Sequence, residues 1–404
     1  MTGFHQATRL QGVRYDVRGK NMVEAQAMEA RGEHILKLNI GNLAPFGFAT
    51  PDSVVRSVAT HLPESEGYSD ARGVPSARAA VAEYYQSKHL DVDPQQVLIG
   101  NGVSELISLT LSAILNHGDE VLVPAPDYPL WTAQITLCDG KAVHYLCDET
   151  RGWNPDPDDI AAHITARTKA IVLINPNNPT GAVYSADTVR AIVQLAREHD
   201  LIVLSDEIYD KIIYHGTHTY TAHETGDDVL CLTYSGLSKA YRACGFRAGW
   251  VVFTGPLQRA HNLLEGVGLL ANMRMCANVP AQYAIEACLS GYQSIDELTA
   301  PGGRFEEQLR LSHDLLDQIP GVNCVPAAGA LYLFPQLDPE RYPITDDEDW
   351  ALGLLREKKI LISHGRGFNW PNPDHFRLVA LPEDAVLREA LGRLAEYCEE
   401  TRRD

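Results

Sequence analysis

The sequence predicts an α/β fold: a large domain on a mainly parallel sheet flanked by helices, joined to a smaller α+β domain. Three observations predict it. Apolar runs of four to six residues recur through the middle of the chain, spaced by helix-length amphipathic segments. Parallel strands are buried on both faces, so continuous apolar runs alternating with helices indicate β-α-β units. The C-terminal part breaks that rhythm and mixes short strands with helices. Finally, 404 residues at 45% hydrophobic composition supply core for two or three domains.

The elements follow in order. "QVLIG" (96–100) is a strand, and "VSELISLTLSAILNHG" (103–118) has helical apolar spacing. "DEVLVPAP" is the next strand, leading into "YPLWTAQITLCDG". "AIVLIN" (170–175), the helix "SADTVRAIVQLAREHD" (185–200) and "LIVLSDE" (201–207) form a further unit. In the tail, "GVNCVPAAGALYLFPQL" (321–337) predicts two strands of a hairpin-like sheet. Helical "DEDWALGLLREKKI" and "PEDAVLREALGRLAEYCEE" flank the strand "HFRLVAL". The expected division is a large domain over 49–295 and a small one over 296–404, with the boundary in "GYQSIDELTAPGG". Residues 1–48 are expected to pack with the small domain, because chain ends tend to lie close together.

Composition excludes several classes. The formal charge of −19 argues against nucleic acid or an anionic membrane as partner. The opening residues lack a basic stretch followed by an apolar run, and the longest apolar runs are too short to span a bilayer. Eight scattered cysteines without a CxxC pair argue against disulfides and zinc. Reduced thiols in a cytoplasmic protein without a metal are the expectation.

One stretch carries a chemical signal. "YSGLSKAYRACGFRAGW" (234–250) sets Lys239 among Gly236, Ser238, Gly245 and Gly249, with Arg247 eight residues on. A lone lysine is ordinarily a solvated surface residue. The functional alternative is an amine that forms an imine with a carbonyl compound, which requires an available free amine and room for a planar ligand. The small residues supply room, and Arg247 offers bidentate contact to an anion.

This stretch resembles the cofactor-attachment site of the class I (fold-type I) pyridoxal-phosphate-dependent aminotransferases. The match runs through Gly236-Leu237-Ser238-Lys239 and Gly245-Phe246-Arg247-Ala248-Gly249. Arg242 departs from the family's small residue, and Gly236 from a serine common there. Further stretches match in the family's order across residues 38–381. "IGNGVSEL" (99–106) opens a helix after a strand, and Gly102, Val103 and Ser104 are implied phosphate ligands. By itself Asn-Gly there is an ordinary turn. "PAPDYPLW" (124–131) offers Tyr128 to stack on the cofactor ring. "NPNNPTG" (175–181) implies Asn178 as a ligand of the ring oxygen, and "DEIY" implies Asp206 on the ring nitrogen with Tyr209 on the ring oxygen. Asp206 alone also fits a helix N-cap. "GYSDARGVPSAR" (67–78) matches through Tyr68, Gly73 and Arg78, and implies that Tyr68 reaches the phosphate in a neighbouring subunit. A homodimer with shared active sites follows from the resemblance. Ser238 and Arg247 are further implied phosphate ligands.

For substrate, "HGRGFNWPNPDHFRLVAL" (364–381) implies Arg377 as the carboxylate-binding arginine, with His364 where the family has proline. "LNIGNLAPFG" (38–47) implies Gly41 against the substrate, alongside Asn178. The implied reaction moves an amino group between amino and 2-oxo acids with ping-pong kinetics, and Lys239 serves as general base and then acid. Aspartate-specific members place a second arginine where this chain has Met273, beside Arg274. Within the family the chain resembles the bacterial alanine (glutamate–pyruvate) aminotransferases nearly end to end. Such an enzyme must accept glutamate's distal carboxylate, and "VRYDVRGK" (13–20) offers Tyr15 and Arg18; an ordinary surface arginine is the competing reading. Aromatic or branched-chain aminotransferases and carbon–sulfur lyases share the same cofactor residues and remain alternatives. A transcription regulator with an aminotransferase-like domain is disfavoured by the acidic charge and the roughly forty residues before "LNIGN".

Overall fold

The computed structural model describes residues 3–13, 15 and 19–403. Its centre is an eight-stranded sheet, in the spatial order Val97–Gly100, Gly249–Thr254, Cys231–Gly236, Ile202–Asp206, Thr168–Ile174, Glu120–Ala125, Lys141–Asp148, Asn154–Pro155. Five consecutive strands from Cys231–Gly236 to Lys141–Asp148 are parallel. Gly249–Thr254 runs antiparallel to both of its neighbours.

The predicted runs fall on this sheet. "AIVLIN" falls on Thr168–Ile174 and runs one residue past its end, and "LIVLSDE" falls on Ile202–Asp206. Side chains alternate between two faces. Val121, Val123, Ala170, Val172 and Ile174 pack with Leu106, Ile107 and Leu111 of the helix Val103–Ile114. Leu122, Ile171, Leu173 and Val203 face the opposite layer, with Val189, Ile192 and Val193 of the helix Ala186–Glu198. That helix buries 189, 192, 193 and 196, one stripe at helical spacing, and Ser185 caps it by accepting from Thr188 N. A cap is worth about 1 kcal/mol. Each fully buried branched aliphatic side chain contributes roughly 1.5–3 kcal/mol, so the apolar stripe decides where the helix lies.

The C-terminal region has short strands and three long helices, Arg304–Asp317, Asp347–Lys358 and Asp384–Thr401. Phe376–Val379 pairs antiparallel with Tyr332–Leu333 on one side and Ser363–His364 on the other. The segment 321–337 differs from its expected two strands: it forms three, of two residues each. Val322–Asn323 and Gln336–Leu337 pair as a hairpin would, while Tyr332–Leu333 between them pairs with the distant strand. Leu36 and Leu38 pack in one core with Leu309, Leu354, Leu378 and Leu391, and Leu36–Lys37 pairs parallel with Ile360–Leu361. All eight cysteines are free thiols. Among the described residues, no helix is long and apolar enough to cross a membrane.

Candidate active site

The carboxyl ends of the parallel strands open onto a cavity of about 300 Å³, the usual ligand position in an open α/β sheet. A larger groove of about 780 Å³ runs between residues 29–47 and 382–389. Of these two, the strand-end cavity is the one that combines a lysine, two arginines and a buried carboxylate among the described residues.

One wall is the start of the helix Val103–Ile114, where Val103 and Ser104 line the cavity beside Ser238 and Arg247. Gly102 precedes the helix at φ +80°, and a Cβ there would run into the Arg247 guanidinium. Arg247 donates to the carbonyls of Cys244 (3.0 Å) and Asn101 (3.4 Å). It has no carboxylate within ion-pair distance among the described residues. A helix N-terminus beside an arginine without an acidic partner is an anion site.

Asp206 lies at the end of its strand, 3% exposed. Trp131 Nε1 donates to Oδ2 (3.2 Å) and the Ile208 amide to Oδ1 (3.4 Å). Burial pushes the Asp206 carboxyl up to about 6, against these donors. A buried carboxylate so placed favours a cationic partner. Tyr128 and Asn178 line the same space. Tyr209 shares a 2.6 Å hydrogen bond with the Tyr332 hydroxyl.

Arg377 is 5% exposed, with its guanidinium 4.5 Å from the ring centres of both Tyr332 and Phe368. It donates to Asn178 Oδ1 (2.9 Å) and to the Asn39 carbonyl, while its Nε is buried without a partner. Lys239 Nζ donates to the Gly41 carbonyl at 2.9 Å. Tyr15 enters from the N-terminal segment, its hydroxyl 3.2 Å from that of Tyr128.

Of the residues singled out in the sequence, Tyr15, Gly41, Val103, Ser104, Tyr128, Asn178, Asp206, Tyr209, Ser238, Lys239, Arg247 and Arg377 line this one cavity. Gly102 lies directly behind Arg247. Tyr68 does not line it; it is 80% exposed on the surface. Arg18 lies outside the described residues. Arg274, beside the exposed Met273, is turned into its own chain, donating to the carbonyls of Ala71 and Ile99 with Glu105 at 3.6 Å. Sequence reasoning missed Tyr332 and Trp131. Trp131 was visible in "PAPDYPLW" but nothing local ties it to Asp206, and Tyr332 sits in an apolar run. The space around Lys239 also differs in origin. A Cβ on Gly236 would meet the Ala248 carbonyl at 2.9 Å, and one on Gly249 the Val103 amide at 2.9 Å. Those two glycines permit backbone packing rather than clearing room for a ligand.

The fold and this site define a class. The family model of class I and II aminotransferases matches residues 33–394, and the chain belongs to that family and is an enzyme of that type. An alanine aminotransferase of Mycobacterium tuberculosis (strain ATCC 25618 / H37Rv) is 54% identical over 98% of this chain and 92% of its own. A glutamate–pyruvate aminotransferase of Escherichia coli (strain K12) is 50% identical over 98% of each chain. The crystal structure of an aminotransferase from Escherichia coli superposes with a TM-score of 0.98 at 50% identity, covering all of both chains.

Proposed function

We propose that this enzyme moves an amino group between L-alanine and 2-oxoglutarate, giving pyruvate and L-glutamate, with pyridoxal 5'-phosphate as resident cofactor. The observation that carries the reading is one cavity holding Lys239, buried Asp206 and buried Arg377. The named activities of relatives at 50–54% identity support the substrate pair.

The residues fit the cofactor. Arg247 and the amides and hydroxyls of Gly102, Val103, Ser104 and Ser238 suit its phosphate. Asp206 suits a protonated ring nitrogen, Tyr209 and Asn178 its ring oxygen, and Tyr128 its face. When bound, the cofactor supplies an aldehyde to hold the amino nitrogen and a ring that withdraws electrons from Cα. Lys239 Nζ takes the proton from Cα and returns it in the transamination step. Arg377, with Asn178 and Gly41, orients the substrate carboxylate, as bidentate guanidinium contacts do. Tyr15 and Arg18 are assigned to the distal carboxylate of glutamate. Tyr68 completes the phosphate site of a second subunit in a homodimer. The proposed division of the chain is 49–295 and 296–404, with 1–48 on the smaller part, in a cytoplasmic enzyme.

The test is a half-reaction survey. Alanine and glutamate are expected to shift the cofactor's visible spectrum, and pyruvate and 2-oxoglutarate to restore it. Lys239→Ala is expected to lose at least about 10²-fold in rate. Transamination retained in that variant overturns the mechanism; a response to aromatic or branched-chain amino acids alone overturns the substrate pair.

A further inference from the structure

His375 precedes the strand that carries Arg377 and is 1% exposed. Its ring stacks on Phe334 at 4.9 Å between centres, with Trp370 at 5.0 Å and Trp153 at 5.5 Å. Phe334 in turn meets Phe368 at 6.1 Å, and Phe368 lies under the Arg377 guanidinium. An unbroken chain of rings thus leads from His375 to Arg377. Two carboxylates face the imidazole. Asp374 Oδ1 is 2.7 Å from Nδ1, and also accepts from Trp370 Nε1 at 3.0 Å. Glu149 Oε2 is 3.4 Å from Nε2, an ion-pair distance without hydrogen-bond alignment. Glu149 stands just after the sheet strand Lys141–Asp148, so it reaches His375 from the other part of the fold.

We propose that His375 is a positioning residue for Arg377: as a cation between Asp374 and Glu149 it fixes the Phe368 ring and the 376–379 strand, and substrate-carboxylate binding weakens when it loses its proton. This rests on the proposed role of Arg377. A buried cation is tolerated only when paired, and both pairing partners are present. Burial pushes the imidazole down, but the hydrogen bond to Asp374 and the Glu149 carboxylate beside Nε2 outweigh it and hold the ring above its ordinary 6.5. Asp374 moves down correspondingly, as a carboxylate beside a cation must. The other groups against the ring, Phe334, Trp153 and Trp370, carry no charge. The Cys324 thiol is pushed up to about 12 by burial first and then by the Glu149 charge, so it stays neutral.

The experiment uses the holoenzyme in its amino form and 2-oxoglutarate as probe, because that acid has no amine titrating in the range. Its half-reaction dissociation constant is expected to rise about tenfold as pH climbs through the His375 titration, with the limiting rate changing less than about twofold. Glu149→Gln is expected to move that rise to lower pH and leave the acid-side affinity unchanged. His375→Asn is expected to bind weakly at every pH. The apoprotein offers a second readout. A raised imidazole stabilises the fold below its unfolded value and ceases to as pH passes its folded one, so the melting midpoint should fall there, and earlier in Glu149→Gln. A Glu149→Gln profile that superimposes on the wild type overturns the proposal, even if His375→Asn does not fold. If wild-type protein shows no spectral response to any amino acid, the functional reading fails instead.

Discussion

Asp206 is the clearest case at the scale of the residue. Its carboxyl is pushed from 3.8 to about 6 by burial. A carboxyl raised in the fold binds its proton more tightly there than in the unfolded chain, so the apoprotein loses stability as pH rises from about 4 to about 6. At about 1.4 kcal/mol per tenfold, that displacement corresponds to roughly 3 kcal/mol. Asp206→Asn is expected to abolish this slope in apoprotein melts between pH 4 and 7, and to weaken cofactor binding. A slope unchanged in the variant would show that another group carries it. The position of Asp206 at a strand end was legible, because an apolar run followed by "DE" is a local pattern. Its surroundings were not: Trp131 is brought 75 residues across the chain by sheet order, which no local period encodes. Arg242 was visible only as a departure from the family pattern. In the fold it turns into the protein and braces the lysine loop, donating to the Ala49 carbonyl at 3.0 Å and to Ser294 Oγ at 2.6 Å.

At the scale of the element, the phosphate wall depends on how closely a strand approaches a helix start. A Cβ on Gly249 would lie 2.9 Å from the Val103 amide nitrogen and 3.1 Å from the Gly102 carbonyl carbon. Both are backbone, so neither can rotate away. Gly249→Ala is therefore expected to displace the helix N-terminus, costing about 1–3 kcal/mol of stability as overpacking does, and to weaken cofactor affinity by tenfold or more. Fluorescence titration of the apoprotein with the cofactor measures this; wild-type affinity in a folded variant would refute it. The β-α-β rhythm was legible because both its periods, two and 3.6, are local. The strands within 321–337 were blurred because each has only two residues and the central one pairs with residues 378–379. A two-residue strand carries no period of its own.

At the scale of the whole molecule, Tyr68 is 80% exposed, and Leu269, Met273 and Met275 are 63%, 73% and 52% exposed. In the proposed homodimer such residues have a partner surface to meet. The enzyme is expected to sediment at twice the 44.5 kDa of one chain. Tyr68→Phe should weaken cofactor binding about ten- to a hundredfold, as losing a hydrogen bond to a charged group does, while leaving the sedimentation unchanged. A monomer with full cofactor affinity would remove the shared site.

The two basic side chains that the mechanism assigns to the substrate both donate to the same short stretch of main chain. Arg377 donates to the Asn39 carbonyl and Lys239 to the Gly41 carbonyl. Residues 39–41 thus tether both side chains to one segment, so main chain sets the spacing between the proton-moving amine and the carboxylate-binding guanidinium. A change that loosens this stretch is expected to loosen both side chains at once.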